Sequence, residues 1–597
     1  MLIVPCCESG KGGGHLTRCI RLTADLRAMD REAWLFLSAI TKDTDNLLHS
    51  MNFNLEWRIT KEELEKKKFN LIVLDRFQTP RNELEYWKKI ATVIGIDEGG
   101  SFRDSFDFLI DMLIPENFIK PAANIYSPKL LVKDITQKKE KREKSAFSIL
   151  ITFGHEDKAG LGVKTTQELL KNKYNGMEIT LLKGGLNNSL IPSSPNLKIM
   201  ETIPNLSDRI SEYDLIITHY GITAYEALFA GTPVLLAHPG PYHKKLAKAA
   251  GFISFPKYMT QRHGVTKKIK IKCKEITIKF KSTNDLNLAE FVNGFSPQVN
   301  HLCPACGSEK SVRSIARFDD RTYRRCPHCG VIYMDRICQP SVEYEREYFF
   351  EQYQKQYGKT YLEDFENIKN AGILRLNKIN SLLPLRDSVS PRDEQRVLSL
   401  LDIGCAYGPF LAAARDEGFS PFGIEPAEDA VRYVNEQLGI PAIHSPFPSP
   451  HSLLPVPFDV ITLWYVIEHF RGCSAVLAEI KKILKPGGIL AFSTPSFSGI
   501  SARASIKNFL SKSPADHFTV WSPKMCKKAL ALAGFKVKKT VTSGHHPERF
   551  PLLGKFAKSR KSPLFWILLA ISKLFGLGDT FEVYATTLPS PSTESPK

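Results

Sequence analysis

The sequence predicts an α/β protein: several parallel-sheet domains in series, with a small metal-binding ribbon among them. Three observations predict it. Short, β-rich apolar runs alternate with amphipathic stretches, and the alternation restarts near Phe147 and again near Val397. Two glycine-rich turns, GKGGGHLTR (Gly10–Arg18) and DIGCAYG (Asp402–Gly408), each follow a buried run and open a helical pattern. Two C-x2-C pairs stand between the second and third α/β stretches. A chain of 597 residues exceeds what one core accommodates, so roughly three to five domains are expected.

Composition narrows the class. With 43% hydrophobic and 24% charged residues the chain reads as an ordinary globular protein. A net charge of +18 favours polyanions: nucleic acid, an anionic membrane face or phosphorylated substrates, with a generally basic surface as the plainer account. Four of the 12 cysteines form the two pairs and the rest are scattered, which is a metal pattern and not a disulfide framework. The opening MLIVPCC lacks a basic flank and reads as a first buried strand, not a secretory signal. The apolar run PLFWILLAI (Pro563–Ile571) falls short of the roughly 20 residues a membrane span needs. A cytoplasmic location is the expectation.

The elements follow in order. Residues 1–140 carry MLIVP, AWLFLSA, FNLIVLD, ATVIGID and FDFLIDML, short buried runs suited to a parallel sheet. The charged stretch DITQKKEKREKS (Asp134–Ser145) reads as a solvated linker. Residues 146–260 repeat the pattern with FSILITFG, MEITLLKGG, NLKIME, YDLIITHYG and TPVLLAHPG, so two lobes with a cleft between them are expected. Residues 261–300 form a basic, β-rich linker in which KKIKIKCKEITIKFKS alternates Lys with apolar residues. The cysteine ribbon takes 301–340, a third α/β domain takes 341–588, and PSPSTESPK (589–597) reads as a disordered tail.

The first glycine turn suits an anion. Unpaired backbone N–H groups at a helix start favour negative charge, and glycine lets a diphosphate approach the backbone. It is neither a Walker loop nor a complete dinucleotide fingerprint. The series Gly12-x-Gly14-His15-x-x-Arg18-Cys19, with Leu22 and Leu26, resembles the opening motif of the UDP-sugar hydrolase of the pseudaminic acid pathway. More distantly it resembles the lipid II-forming N-acetylglucosaminyltransferase; both belong to the GT-B superfamily. IVLDRF with Asp75, IGIDEG with Asp97, LITFGHED and THYGITAYEALFAGTPVLLAHPG agree in order across residues 1–255. The resemblance implies two Rossmann-like GT-B lobes acting on a nucleotide-sugar, with Gly12, Gly14 and Arg18 on the substrate and Gly221, Thr223 and Glu226 holding the nucleotide. His15 is the candidate base and Glu226 the acceptor of ribose hydroxyls. Where relatives carry Asn-Gln or Gln, this chain reads PYHKK (Pro241–Lys245), a departure at the sugar-recognition position.

Cys303, Cys306, Cys326 and Cys329 have the spacing C-x2-C-x19-C-x2-C, with each pair followed by Gly. Two such knuckles complete a tetrahedron of thiolates, closed and therefore structural, so a zinc ribbon is expected. The basic, aromatic stretch between them keeps nucleic acid open as a partner.

In the third domain Asp402, Gly404 and Gly408 mark a strand, loop and helix start, and Glu425 ends the next strand, where an acid can bind both ribose hydroxyls. FDVITLWYVIEHF and LKPGGILAFSTPS resemble the fourth and fifth motifs of class I S-adenosylmethionine-dependent methyltransferases, and the order holds from Val397 to Ser496. DHFTVWSPKMCKKALALAGF and DTFEVYATT resemble the helix before the sixth strand and the seventh strand. YFFEQYQKQYGKTYLEDF resembles the leading helix of zinc-ribbon methyltransferases of surface-glycan pathways. The resemblance implies S-adenosylmethionine as cofactor, with His469 as candidate base and His517 as a second one. Between the sixth and seventh strands lies GKFAKSRKSPLFWILLAISKLFGLG, expected as a lid or core helix, with a peripheral membrane contact as the other reading.

Together these imply a bifunctional enzyme of surface-glycan or nonulosonate biosynthesis. A nucleotide-sugar hydrolase or glycosyltransferase is followed by a methyltransferase acting on a sugar or glycan. The alternative is an RNA- or protein-modifying methyltransferase whose N-terminal half only binds a ligand.

Overall fold

In the computed structural model the described residues are all but 7–13, 133–145, 155–156, 158, 172–176, 184–190, 202, 204–205, 256–285, 301, 310–312, 339–352, 355–357, 384–396, 449–453 and 589–597. Gly12, the charged linker, the Lys-alternating stretch, part of the leading-helix segment and the tail fall outside them.

The protein is mixed α/β with Rossmann-like parallel sheets. The first sheet comprises β1 (Leu2–Pro5), β2 (Trp34–Phe36), β3 (Arg58–Ile59), β4 (Leu71–Asp75), β5 (Thr92–Ile96), β6 (Phe108–Asp111) and β7 (Ile125–Tyr126). All pairs are parallel, in the order 3-2-1-4-5-6-7. The order reverses at β1, and such a switch point leaves a crevice at the carboxyl ends of the strands. Successive residues feed opposite faces: Ile3, Val73 and Ile94 pack into one core and Leu2, Ile72 and Val93 into the other. Each such side chain stabilises the fold by about 1.5–3 kcal/mol relative to exposure.

The second sheet holds β8 (Phe147–Ile151), β9 (Met177–Leu182), β10 (Leu197–Met200), β11 (Leu215–Thr218) and β12 (Val234–Leu236), again wholly parallel, in the order 10-9-8-11-12. Both sheets lie in one compact unit, Met1–Val299 with short additions from 317–322 and 336–338. Within it the Tyr220 hydroxyl donates to the Leu113 carbonyl at 2.6 Å, and Tyr242 packs edge-on against Phe77 and Phe118.

The other unit contains the rest of the chain. Most residues of a small sheet belong to it: β13 (Ser314–Phe318), β14 (Arg321–Arg325) and β15 (Ile332–Arg336) beside the two-residue strand β21 (Thr519–Val520), which pairs antiparallel with β15. The large sheet is formed by β16 (Ser399–Ile403), β17 (Ser420–Glu425), β18 (Ala442–His444), β19 (Phe458–Trp464), β20 (Leu484–Pro495), β22 (Phe535–Ser543) and β23 (Thr580–Thr587). Its order is 18-17-16-19-20-23-22, with β23 antiparallel to both neighbours.

One expectation is corrected here. The insert between β22 and β23 forms the helix Pro563–Leu574, but it is no core helix: only Leu568 and Ser572 are buried. It packs through one narrow side on the turns Pro547–Arg549 and Gly554–Phe556, and nothing among the described residues covers its other side. No helix among the described residues is long and apolar enough to cross a membrane.

Gly95 in β5 tests the packing of the first sheet. A Cβ there would lie 2.8 Å from the Phe106 ring and 2.9 Å from Leu109. Gly95→Ala is expected to destabilise the first unit by about 1–3 kcal/mol, read as an earlier melting transition by circular dichroism.

Candidate active sites

The carboxyl ends of β1, β4 and β5 carry the first cluster. Asp75 closes β4 and Asp97 follows β5 directly. The helix Gly14–Ala28 leaves β1 and aims Arg18 between them. Arg18 Nε and Nη2 donate to the two Asp75 oxygens at 2.6 and 2.5 Å, and Nη1 donates to Asp97 Oδ2 at 2.7 Å. The other Asp97 oxygen accepts the backbone N–H groups of Met112, Leu113 and Ile114. His15, one turn before Arg18, places Nδ1 2.6 Å from Asp75 Oδ1. Burial alone would raise the Asp75 carboxyl, but the charges of Arg18 and His15 overcome it and hold it at about 2. Arg18 is thus engaged by carboxylates, and among the expected substrate contacts it stands behind His15. Gly14 begins the helix with open space where a Cβ would lie.

In the second sheet's domain Gly221 precedes the helix Ile222–Phe229. Glu226 on that helix is buried, which raises its carboxyl, while Arg21 and the Thr223 hydroxyl act in the opposite direction. Arg21 Nη1 lies 3.7 Å from Glu226 Oε1 in a cleft of about 290 Å³ that brings together two of the candidate residues, Arg18 and Glu226, and is also lined by Asp25, Ser207, Asp208 and Asn287; His15, Gly221 and Thr223 are not part of its lining. His219 had not been singled out in the sequence. It sits between Gly154 and Gly221, and burial and the charge of His243 lower its imidazole to about 4. Tyr242 and His243 occupy the PYHKK departure at the start of the helix Pro241–Ala250.

In the other unit β16 runs into a loop in left-handed conformation at Gly404 (φ +73°), Ala406 (φ +48°) and Gly408 (φ +77°) before the helix Pro409–Asp416. A Cβ on Gly404 would come 2.6 Å from Val466, so the loop after β19 sits hard against it. Glu425 ends β17 and accepts the Ala406 and Ala427 N–H groups at 2.9 and 3.1 Å. Asp402 accepts the Thr462 hydroxyl at 2.6 Å. Burial pushes both carboxyls up to about 7, against those hydrogen bonds. Asp402, Gly404, Gly408 and Glu425 therefore converge on one mouth of the sheet, rimmed by Tyr361, Tyr407 and Tyr433.

Beside that mouth His469 Nδ1 is 3.0 Å from Asp516 Oδ2, and the His469 and His517 rings meet edge-on at 4.6 Å. Burial depresses the His469 imidazole, but the Asp516 bond and the charge of Glu468 outweigh it and the net shift is upward. His517, half-buried and facing His469, is lowered to about 3 by desolvation and the charge of His469. Glu468 is buried and pushed up to about 7, with neither oxygen in a well-formed hydrogen bond. Ligand atoms of Glu468, His469 and His517 lie within 4.8 Å of one another, close enough to hold a metal ion. Asp516 was missed in the sequence, where only the adjacent His517 stood out.

Cys303, Cys306, Cys326 and Cys329 also converge within 4.8 Å. The Sγ atoms of Cys303 and Cys329 are 3.6 Å apart and those of Cys306 and Cys326 3.7 Å. A tetrahedron with zinc–sulfur bonds of about 2.3 Å has edges of about 3.8 Å, so the set fits zinc. Gly307 (φ +68°) and Gly330 (φ +84°) close the two knuckles.

A parallel sheet with a glycine loop after its first strand, an acid closing the second and an antiparallel strand inserted near the far edge is an arrangement suited to a nucleoside-bearing cofactor. Residues 374–540 are a class I S-adenosylmethionine-dependent methyltransferase region, and they match a family model described as a methyltransferase domain. Over 147 residues the chain is 33% identical to an uncharacterized protein of Methanocaldococcus jannaschii, covering 21% of this chain and 30% of that one. Over 126 residues it is 30% identical to a ubiquinone biosynthesis O-methyltransferase of Paracidovorax citrulli, covering 20% and 52%. The chain thus spans about a third and about half the length of these curated relatives. A S-adenosylmethionine-dependent methyltransferase of Archaeoglobus fulgidus aligns at 16% identity over 40% of this chain and 98% of its own, with a TM-score of 0.28. Another from Mesorhizobium loti aligns at 16% over 35% and 96%, with a TM-score of 0.25.

The Asp75 network gives a pH signature. Its carboxyl lies at about 2 when folded against 3.8 ordinarily, so the stabilisation is complete above pH 4 and is lost as pH falls through 2. The loss amounts to about 2–3 kcal/mol. Asp75→Asn is expected to flatten that slope in acid denaturation and, by leaving Arg18 half-paired, to cost roughly 3–5 kcal/mol at pH 7.

Proposed function

We propose that the chain is a bifunctional enzyme of surface-glycan or nonulosonate assembly. Residues 1–260 act on a nucleotide-sugar, UDP-linked in this reading, as a GT-B-type hydrolase or glycosyltransferase. Residues 341–588 methylate a sugar or glycan. The observation that carries the first activity is His15 held at 2.6 Å by a carboxylate that Arg18 keeps ionised at the end of a parallel sheet.

With Nδ1 donating to Asp75, Nε2 is left to take a proton from water or an acceptor hydroxyl. That oxygen bonds to the anomeric carbon as its proton passes to His15. The bond from the anomeric carbon to phosphate oxygen breaks, and its electron pair leaves with the nucleoside diphosphate. Backbone N–H groups at the helix start after Gly221 receive the phosphate charge, and Glu226 accepts ribose hydroxyls. Arg18 acts as a positioning residue by fixing Asp75.

In the second activity, bound S-adenosylmethionine supplies a methyl group already activated by its sulfonium. The Gly404–Gly408 loop gives close backbone approach, Glu425 takes the ribose hydroxyls, and Asp402 braces the loop's root. His469, oriented by Asp516, takes the acceptor's proton. The four cysteines hold a structural zinc.

Mass spectrometry of products from UDP- and CMP-sugars with isotope-labelled S-adenosylmethionine tests both halves. His15→Ala should cut sugar-nucleotide turnover roughly 100- to 10,000-fold while S-adenosylhomocysteine still binds. Gly404→Val should do the reverse. Folded variants that each lose both activities would sink the two-site reading, and salt-sensitive RNA methylation with no sugar turnover would favour the RNA-modifying alternative. Metal analysis should find a single zinc per chain, absent from Cys303→Ala/Cys329→Ala, whose melting temperature should fall. A zinc-free wild type of full stability would remove the metal from the account.

A further inference from the structure

Neither proposed activity uses the apolar insert between β22 and β23. On the helix Pro563–Leu574 the exposed positions are Pro563, Trp566, Ile567, Ala570, Lys573 and Leu574, a single face at helical spacing. That outward face carries Trp566, Ile567 and Leu574 with Lys573 as its single charge, and an apolar outward face of this kind is ordinarily covered by protein or lipid. The preceding turn adds Leu552 and Phe556, and the turn after it adds Phe575. Leu552 leaves 87% of its surface in solvent and Leu574 79%, and Phe556, Trp566, Ile567 and Phe575 each leave more than half.

Basic groups rim this patch. Lys555, Lys558, Arg560, Lys561 and Lys573 all fall within residues 550–578, a stretch without Asp or Glu. The segment is anchored: His545 Nδ1 lies 2.7 Å from the Ser572 hydroxyl, and the Trp566 indole N–H donates to the Arg560 carbonyl at 2.8 Å.

We propose that residues 550–576 are a membrane-docking element that binds the face of an anionic phospholipid bilayer. The basic rim attracts acidic headgroups while Leu552, Phe556, Trp566, Ile567, Leu574 and Phe575 enter the interface. The 12-residue helix lies in the surface; it is far short of a span. The same rim disfavours a second copy as the occupant, because two such patches would bring like charges together.

The test uses the full-length protein and vesicles of phosphatidylcholine with or without phosphatidylglycerol. Co-sedimentation with the mixed vesicles only, weakened by salt, and a blue shift of tryptophan emission that disappears in Trp566→Phe are expected. Phe556→Ser/Trp566→Ser/Ile567→Ser keeps the charge and should weaken vesicle binding roughly tenfold or more, with melting temperature and S-adenosylhomocysteine binding unchanged. No sedimentation of wild type with mixed vesicles at low salt would overturn the proposal. So would undiminished binding by the serine variant, which would leave only general basic attraction. A dimer in sedimentation velocity that the serine variant abolishes without changing vesicle binding would reassign the face to self-association. None of these readouts depends on either catalytic activity.

Discussion

The pairing of Arg18 with Asp75 and Asp97 is the interaction on which the first candidate site depends. Strands buried on both faces offer chemistry only where they end, and here the ends carry two carboxylates with almost no exposure. An isolated buried carboxylate would take up a proton; one bound by a two-pronged guanidinium stays charged. Arg18 therefore fixes the charge of Asp75, and Asp75 in turn fixes the ring of His15. The backbone N–H groups of Met112, Leu113 and Ile114 complete the set on Asp97, which ties the segment after β6 to the same cation.

The methyltransferase mouth solves the same problem differently. Asp402 and Glu425 also stand at or next to the ends of buried strands, yet among the described residues no cation is as close to them as Arg18 is to Asp75, and burial pushes both carboxyls up to about 7. Glu425 keeps its place through two backbone N–H groups and Asp402 through a threonine hydroxyl. The first site pairs its charges within the protein; the second holds its acids through neutral donors.

The sequence made much of this legible because periodicity reports burial. Every strand of the two N-terminal sheets that forms a run of at least four buried residues, such as LIVLD and TVIGI, stood out as an apolar run. The glycines of the second loop were legible for the same kind of reason, since Gly404 and Gly408 occupy conformations and spaces that a side chain would disturb. What stayed hidden depended on distant partners. Nothing local marks Arg18 as facing two aspartates 57 and 79 residues away, or Asp516 as the partner of His469. The apolar insert left lid, core helix and membrane contact open, and only the core reading is overturned, because composition does not say which side of a helix finds a neighbour.

The strand β21 has a consequence for folding. It is two residues long, too short to persist alone, and its sheet partner β15 lies about 190 residues earlier in the chain. Asp516 and His517 stand immediately before it. The glycine loop and Glu425 come from neighbouring segments, whereas the Asp516–His469 pair stands beside a pairing of long sequence separation. A defect in the ribbon would therefore reach His469 through β21 while leaving the glycine loop's own hydrogen bonds in place.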